Sequence, residues 1–135
     1  MRFTITGRPY GKKRPRKGKF NVYDPKENRE HEEYIRQCFI KDEGMKPEPT
    51  DNPVWLNINC YYPVPKGTPK KVREAMLAGK IFPLMKPDGD NIAKSIMDAL
   101  NGFYYHDDKQ VVLLRVYRQY GETAKTIVDI GRYHA

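Results

Sequence analysis

Residues 54–62 alternate without a break, Val54, Leu56, Ile58 and Cys60 against Trp55, Asn57, Asn59 and Tyr61. A period of two places these sets on opposite sides of a strand. Arg2 to Thr6, carrying Phe3 and Ile5, predicts a second, shorter strand. Tyr34, Ile35, Cys38 and Phe39 instead recur at helical spacing, so an amphipathic helix is expected from Lys26 to Glu43, after Asp24–Pro25. Gly44 to Pro53 reads as a loop. Pro69 to Ala78 predicts a short helix opened by Thr68 as its cap and ended by Gly79. A further helix is expected from about Asn91 to Asn101, capped by Asp90 and stopped by Gly102. Strands are expected at Val111–Tyr120 and Lys125–Tyr133, joined as a hairpin around Gly121–Glu122. This order predicts a single-domain α+β fold over residues 1–135, with a mixed, mostly antiparallel sheet and two or three helices.

Charge is distributed unevenly. The 135 residues carry a formal net charge of +8. Arg2, Arg8, Lys12, Lys13, Arg14, Arg16, Lys17 and Lys19 all fall within the first 20 residues, which hold no acid. The rest of the chain is neutral. Gly11, Pro15 and Gly18 break the basic run, which is expected to be an exposed, mobile loop. Such a segment suits a polyanion: Lys12, Lys13, Arg14, Arg16, Lys17 and Lys19 would neutralise phosphates and release counterions.

Several function classes are excluded. The uncharged stretch from Asn52 to Val64 is too short to span a bilayer, and no apolar signal segment follows Met1. Cys38 and Cys60 fall on apolar faces and form no CxxC pair, which suggests inert core residues in a reducing cytoplasm. Ser95 is the only serine and lacks the Gly-x-Ser-x-Gly setting of a hydrolase. Gly11 to Phe20 lacks the spacing and the hydroxyl residue of a phosphate loop.

Chemistry concentrates between Lys86 and Val111. At 100° per residue, Asp90, Asn91, Lys94, Ser95, Asp98 and Asn101 fill one arc of the helix, opposite Ile92, Ala93, Ile96, Met97, Ala99 and Leu100. Asp88 projects beside Asp90, and Asp107–Asp108 follow in the loop leaving the helix. Clustered carboxylates suit a hard cation such as Mg²⁺, which prefers one to three carboxylate oxygens and completes its octahedron with water and phosphate. A purely structural reading also fits: Asp90 as helix cap, Asp88 closing a turn, and Lys94–Asp98 as an ordinary surface pair. His106 beside Asp107 is a weaker candidate ligand or base, and Tyr104 and Tyr105 either stack on bases or pack. His31 and His134 are expected at the surface.

The run Asp88-Gly89-Asp90-Asn91 with Lys94, then Asp98-Ala99-Leu100, then Asp107-Asp108-Lys109-Gln110-Val111, resembles the RusA-type Holliday junction resolvases. These are small bacterial or phage-encoded endonucleases. Lys13-Arg14-Pro15-Arg16 resembles their basic Arg-Pro-Arg segment, so the likeness touches both ends of the chain's core. Lys86–Pro87 departs from the Arg-Asp common before the first aspartate, and residues 65–83 are an insertion relative to the shortest members. The resemblance implies that Asp88, Asp90 and Asp108 bind a catalytic Mg²⁺, for which Mn²⁺ substitutes, with Lys94 essential beside them. It implies supporting roles for Asp98, Asp107 and Asn91. It further implies a homodimer acting on branched double-stranded DNA, and a two-fold dimer matches a junction with two symmetric strands to cut. No organic cofactor or membrane is expected. The alternatives are a metal-dependent nuclease for other branched DNA or RNA, and a noncatalytic recombination accessory protein. A two-carboxylate sugar hydrolase leaves the basic segment without a use.

Overall fold

The computed structural model describes residues 1–133; His134 lies outside the described residues. Strand β4 (Val54–Pro63) is central. Its alternation is borne out residue by residue, with Val54, Leu56, Ile58, Cys60 and Tyr62 buried and the intervening side chains half-buried. β5 (Val111–Gly121) flanks it on one side and β6 (Lys125–Arg132) on the other, and β1 (Arg2–Thr6) lies outside β6, giving the order β1-β6-β4-β5. The β1–β6 and β6–β4 pairs are antiparallel, whereas β4–β5 is parallel. In register, Leu56 lies between Leu114 and Ile130, and Ile58 between Val116 and Val128, so apolar triplets cross the sheet, buried at β4 and β6 and more open at the β5 edge.

The hairpin expected around Gly121–Glu122 is not formed. β5 and β6 share no ladder; their connection passes the end of β4, which separates them. Turn chemistry at 121–122 is local, but the two apolar ladders offered by β4 decide where each strand docks. Parallel pairing of β4 with β5 requires a long crossover, and this carries helices α2 (Lys70–Leu77) and α3 (Gly89–Leu100). α3 packs beside α1 (Lys26–Glu43). Phe39 of α1 meets Phe3 of β1 at 5.3 Å and Phe103, just past α3, at 5.4 Å between ring centroids. These edge-to-face contacts join three segments of the core.

Helix boundaries correct two expected caps. α3 begins at Gly89, and its cap is Asp88, whose carboxylate accepts the Asn91 N–H at 3.1 Å; Asp90 sits inside the first turn. Thr68 does not cap α2: its hydroxyl donates to the Pro65 carbonyl, and Pro69 takes the cap position. α1 ends at Gly44, whose φ of 83° is left-handed and strained for other residues. Ser95, assigned to the polar arc, is buried between Ala93 and Ile96 on the core side. Cys38 and Cys60 are free and buried, and burial pushes the Cys60 thiol up to about 12, so both are inert. No helix among the described residues is long and apolar enough to cross a membrane.

Candidate active site and nucleic-acid interface

The approach to Asp88 is fixed from behind. Arg118 on β5 donates to the carbonyls of Met85, at 3.0 Å, and Pro87, at 3.2 Å; the buried Tyr62 hydroxyl also donates to the Pro87 carbonyl. Asp88 faces a groove of about 760 Å³ shared with Tyr10, Lys12, Lys13, Arg14 and Asn91. Asp90, two residues on, opens into a different groove, beside Phe82, Leu84, Leu114 and Arg118. Asp90, Asn91 and Lys94 are exposed, and Asp98 is half-buried, so the polar stripe of α3 faces outward as expected apart from Ser95.

After α3 the chain turns through Phe103, Tyr104 and Tyr105, all buried, with the Tyr105 hydroxyl donating to the Met97 carbonyl at 2.7 Å. Packing, not base stacking, is the role of these tyrosines. Burial and the nearby Asp108, Asp98 and Asp107 push the Tyr105 hydroxyl far above its ordinary range, so it stays protonated. A 3-10 turn over Asp108–Gln110 then leads directly into β5. Asp107 caps this turn by accepting the Lys109 N–H at 2.9 Å, and that bond holds its carboxyl below the usual range. Asp108 is shifted up by partial burial, then by its bond to Asp107 and the charges of Asp107 and Asp98, with Lys94 opposing. Asp98, Asp108 and Lys94 therefore share one electrostatic environment across α3 and the following turn. His106 pairs instead with Asp51 at 2.9 Å, with both side chains exposed.

Lys12 joins that environment from the basic segment. Its ammonium pairs with the Asp98 carboxylate, and each side chain is only about one-fifth exposed. Burial works against the charge, but the bond to Asp98 prevails and holds Lys12 above its ordinary range. Lys12 is thus paired inside the protein, where the sequence predicts a free phosphate contact. Glu32 of α1 faces the same cleft, where burial raises its carboxyl, Lys12 opposes that and Asp98 adds to it. Glu32 lies three residues before Ile35 and seven before Phe39. An acid on the apolar stripe was the signal the sequence offered for it.

The basic segment is also more ordered than expected. Gly11 packs on the start of α3, where an added Cβ would lie 2.6 Å from Cβ of Pro87, and the Lys12 N–H donates to the Asn91 carbonyl at 3.1 Å. Asn28, buried in the first turn of α1, uses its whole amide to latch the segment. Its Oδ1 accepts from the Tyr10 hydroxyl at 2.8 Å and the Lys13 N–H at 2.9 Å. Its Nδ2 donates to the Lys13 carbonyl at 2.9 Å and to Asp24 at 2.8 Å. His31 stacks on Tyr10 with ring centroids 4.1 Å apart, and burial lowers its pKa to about 4. Half-buried where the sequence suggests a surface position, it braces the latch. Beyond Pro15, β2 (Arg16–Lys17) and β3 (Val22–Tyr23) form a small antiparallel hairpin with Phe20 exposed near its tip. Lys13, Arg14, Arg16, Lys17 and Lys19 are exposed around it.

The donor set suits Mg²⁺ in type, being hard carboxylates open to solvent and phosphate. Among the described residues, however, no three His, Cys, Asp or Glu side chains come together closely enough to hold a metal ion. Asp88 and Asp90 stand at the start of α3, whereas Asp108 lies in the later turn, within reach of the charges of Asp98 and Lys94. A shell of one or two carboxylates completed by water and substrate phosphate fits this arrangement better than an all-protein cage.

Two comparisons bear on this arrangement. The chain is 33% identical to the uncharacterized protein YqaN of Bacillus subtilis (strain 168), covering the whole of this chain and 98% of that one. The family model described as endodeoxyribonuclease RusA matches residues 6–131, which include the basic hairpin, the polar face of α3 and the Asp107–Asp108 turn. The chain belongs to the RusA endodeoxyribonuclease family.

Proposed function

We propose that this protein is a cytoplasmic, Mg²⁺-dependent endonuclease that resolves four-way DNA junctions by paired symmetric nicks in recombination and repair. One observation carries the reading: the basic segment is tied through Lys12, just before the hairpin, to the same helix, α3, that displays Asp88, Asp90, Lys94 and Asp98. Phosphates gathered by Lys13, Arg14, Arg16, Lys17 and Lys19 are thereby held beside the carboxylates. Asp88, Asp90 and Asp108 are the candidate ligands, one or two of them holding the metal with water and substrate phosphate completing its shell, and Asp98, Asp107 and Asn91 would support them. Bound Mg²⁺, for which Mn²⁺ would substitute, supplies Lewis-acid stabilisation of charge at the scissile phosphate. Lys94, exposed on the same helix, adds a positive charge toward the developing negative charge of the leaving 3′ oxygen, and a 5′-phosphate results.

Paired nicking needs two sites, which a two-fold homodimer provides. β5 supports this reading because it is an edge strand on which Val112, Leu113 and Leu114 are exposed by 57%, 53% and 43%. Exposed apolar residues on an edge strand invite pairing with a second copy.

The test uses a labelled immobile junction and a matched linear duplex, each with Mg²⁺ or EDTA. Paired nicks confined to the junction, lost with EDTA and in Asp90→Asn while junction binding persists, are expected. Binding without metal-dependent nicking would remove the enzymatic reading, and equal cutting of linear duplex would remove its structure specificity.

A further inference from the structure

We propose that Gln110 is a positioning residue for Asp108, an inference that rests on the metal-dependent nuclease reading. The Gln110 amide is fully used. Its Oε1 accepts the backbone N–H groups of His106, at 2.8 Å, and Asp107, at 3.0 Å. Its Nε2 donates to the carbonyls of Thr50, at 2.8 Å, and Asn52, at 3.1 Å. Two acceptor and two donor bonds exhaust the useful valences of a side-chain amide, and only that group offers both kinds in this geometry.

The bonds place Gln110 between two segments far apart in sequence. On one side is the turn bearing Asp107 and Asp108. On the other is the 50–52 loop, itself held by the Thr50 N–H donating to the Tyr104 carbonyl at 2.9 Å and by the Asn52 N–H donating to the Thr50 hydroxyl at 3.1 Å. Asp107 is spent on capping the turn, and the Asp108 carboxylate bonds to no group outside the turn among the described residues. The position of Asp108 relative to Lys94 and Asp98 on α3 is therefore set by the backbone frame of residues 106–110. Gln110 is the side chain that closes that frame against the body of the protein. Outer groups of this kind orient a ligand without touching the ion, and their loss typically costs 10- to 100-fold in metal affinity.

The experiment compares wild type, Gln110→Glu, Gln110→Ala and Asp108→Asn in the full chain. Glu keeps both acceptor bonds and the shape but loses both donors and sets a carboxylate against two carbonyls; Ala removes all four bonds. Mn²⁺ binding is read from loss of the free-ion EPR signal, the Mg²⁺ requirement from cleavage rate against metal concentration, and folding from Tm. The expectation is a rise of about 10- to 100-fold in half-saturating metal for both Gln110 variants. Cleavage at saturating metal should recover, and junction binding in EDTA should stay at the wild-type level. Amide exchange at His106 and Asp107 should accelerate in Gln110→Ala. Unchanged metal affinity in the Gln110 variants, with Asp108→Asn impaired, would overturn the positioning role alone. Unchanged affinity in all three would overturn it together with the assignment of Asp108. A metal defect seen only where Tm collapses would also overturn it, since general unfolding would then suffice.

Discussion

Lys12 and its neighbours look alike in sequence, yet the structure separates them, and salt dependence measures the difference. Each phosphate neutralised on duplex DNA contributes about 0.9 to the slope of log K against log salt. Lys13, Arg14, Arg16, Lys17 and Lys19 are exposed, so replacing all five by Ala should flatten the slope by up to about 4.5. Between about 50 and 200 mM salt, that is a loss of about 500-fold in the salt sensitivity of binding. Lys12→Met should leave the slope unchanged, because the Lys12 charge is already matched by Asp98. Its cost should fall on stability, by about 1–2 kcal/mol, since Asp98 and the neighbouring Glu32 would keep charges in a cleft that has lost its cation. The assay is fluorescence anisotropy of a labelled four-way junction in EDTA across a salt series, with urea unfolding of each variant alongside. A slope change of about 0.9 in Lys12→Met, equal to the average for its neighbours, would refute the assignment of Lys12 as an internal counter-ion. An unaltered slope in the five-residue variant would refute the hairpin as the phosphate-binding element.

Three further outcomes are expected. His31 stays neutral when folded down to about pH 4 but takes a proton near pH 6.5 when unfolded, so its contribution is intact above pH 6.5 and lost as pH falls towards 4. The full shift corresponds to about 3.4 kcal/mol, which the partial exposure of the ring reduces to about 1–2 kcal/mol. His31→Phe should lose correspondingly less stability than wild type between these pH values, and parallel curves from denaturant unfolding would contradict this. Asp88 is both helix cap and candidate ligand: Asp88→Asn should keep the cap and wild-type stability yet lose metal-dependent nicking, whereas Asp88→Ala should lose a further ~1 kcal/mol by thermal unfolding. Equal stability of the two would deny the capping role. If the proposed homodimer pairs through β5, Leu113→Lys should shift the particle mass by light scattering from dimer to monomer, and a wild-type monomer or an unchanged dimer in the variant would refute that pairing.

The sequence carried those features whose cause is local. The alternation of Val54 to Tyr62 has one explanation, and the helical spacing of Ile35, Cys38 and Phe39 has another; both elements form where expected. The exposed row Asp90, Asn91 and Lys94 also follows from helical period alone. Strand neighbours do not. β6 enters between β1 and β4 because Val128 and Ile130 match Ile58 and Leu56 across the sheet, a pairing over some 70 residues that no turn signal encodes. The same limit hid the order of the basic segment. Asn28 and Asp98 capture it from positions 15 and 86 residues away from their partners, and neither residue type is unusual where it stands. Asp88 and Asp90 were equally good caps by composition. The choice depended on where the backbone turned helical, which Tyr62 and Arg118 help to fix through the Pro87 carbonyl.

These long-range ties give the charge asymmetry a mechanical meaning. The basic segment meets α3 at three levels: Gly11 against Pro87, the Lys12 N–H at Asn91, and the Lys12 ammonium at Asp98. It also meets α1 through Asn28 and His31. A freely mobile arm would raise the local concentration of DNA without choosing which phosphate reaches the carboxylates. On the proposed reading, an arm latched along the helix that bears them would fix the offset between the phosphates it holds and the phosphate presented at Asp88 and Lys94. Breaking the latch with Asn28→Ala while keeping every cation should therefore degrade the precision of the cleavage position more than the affinity for the junction. That pattern separates registration of the strand from simple attraction to it.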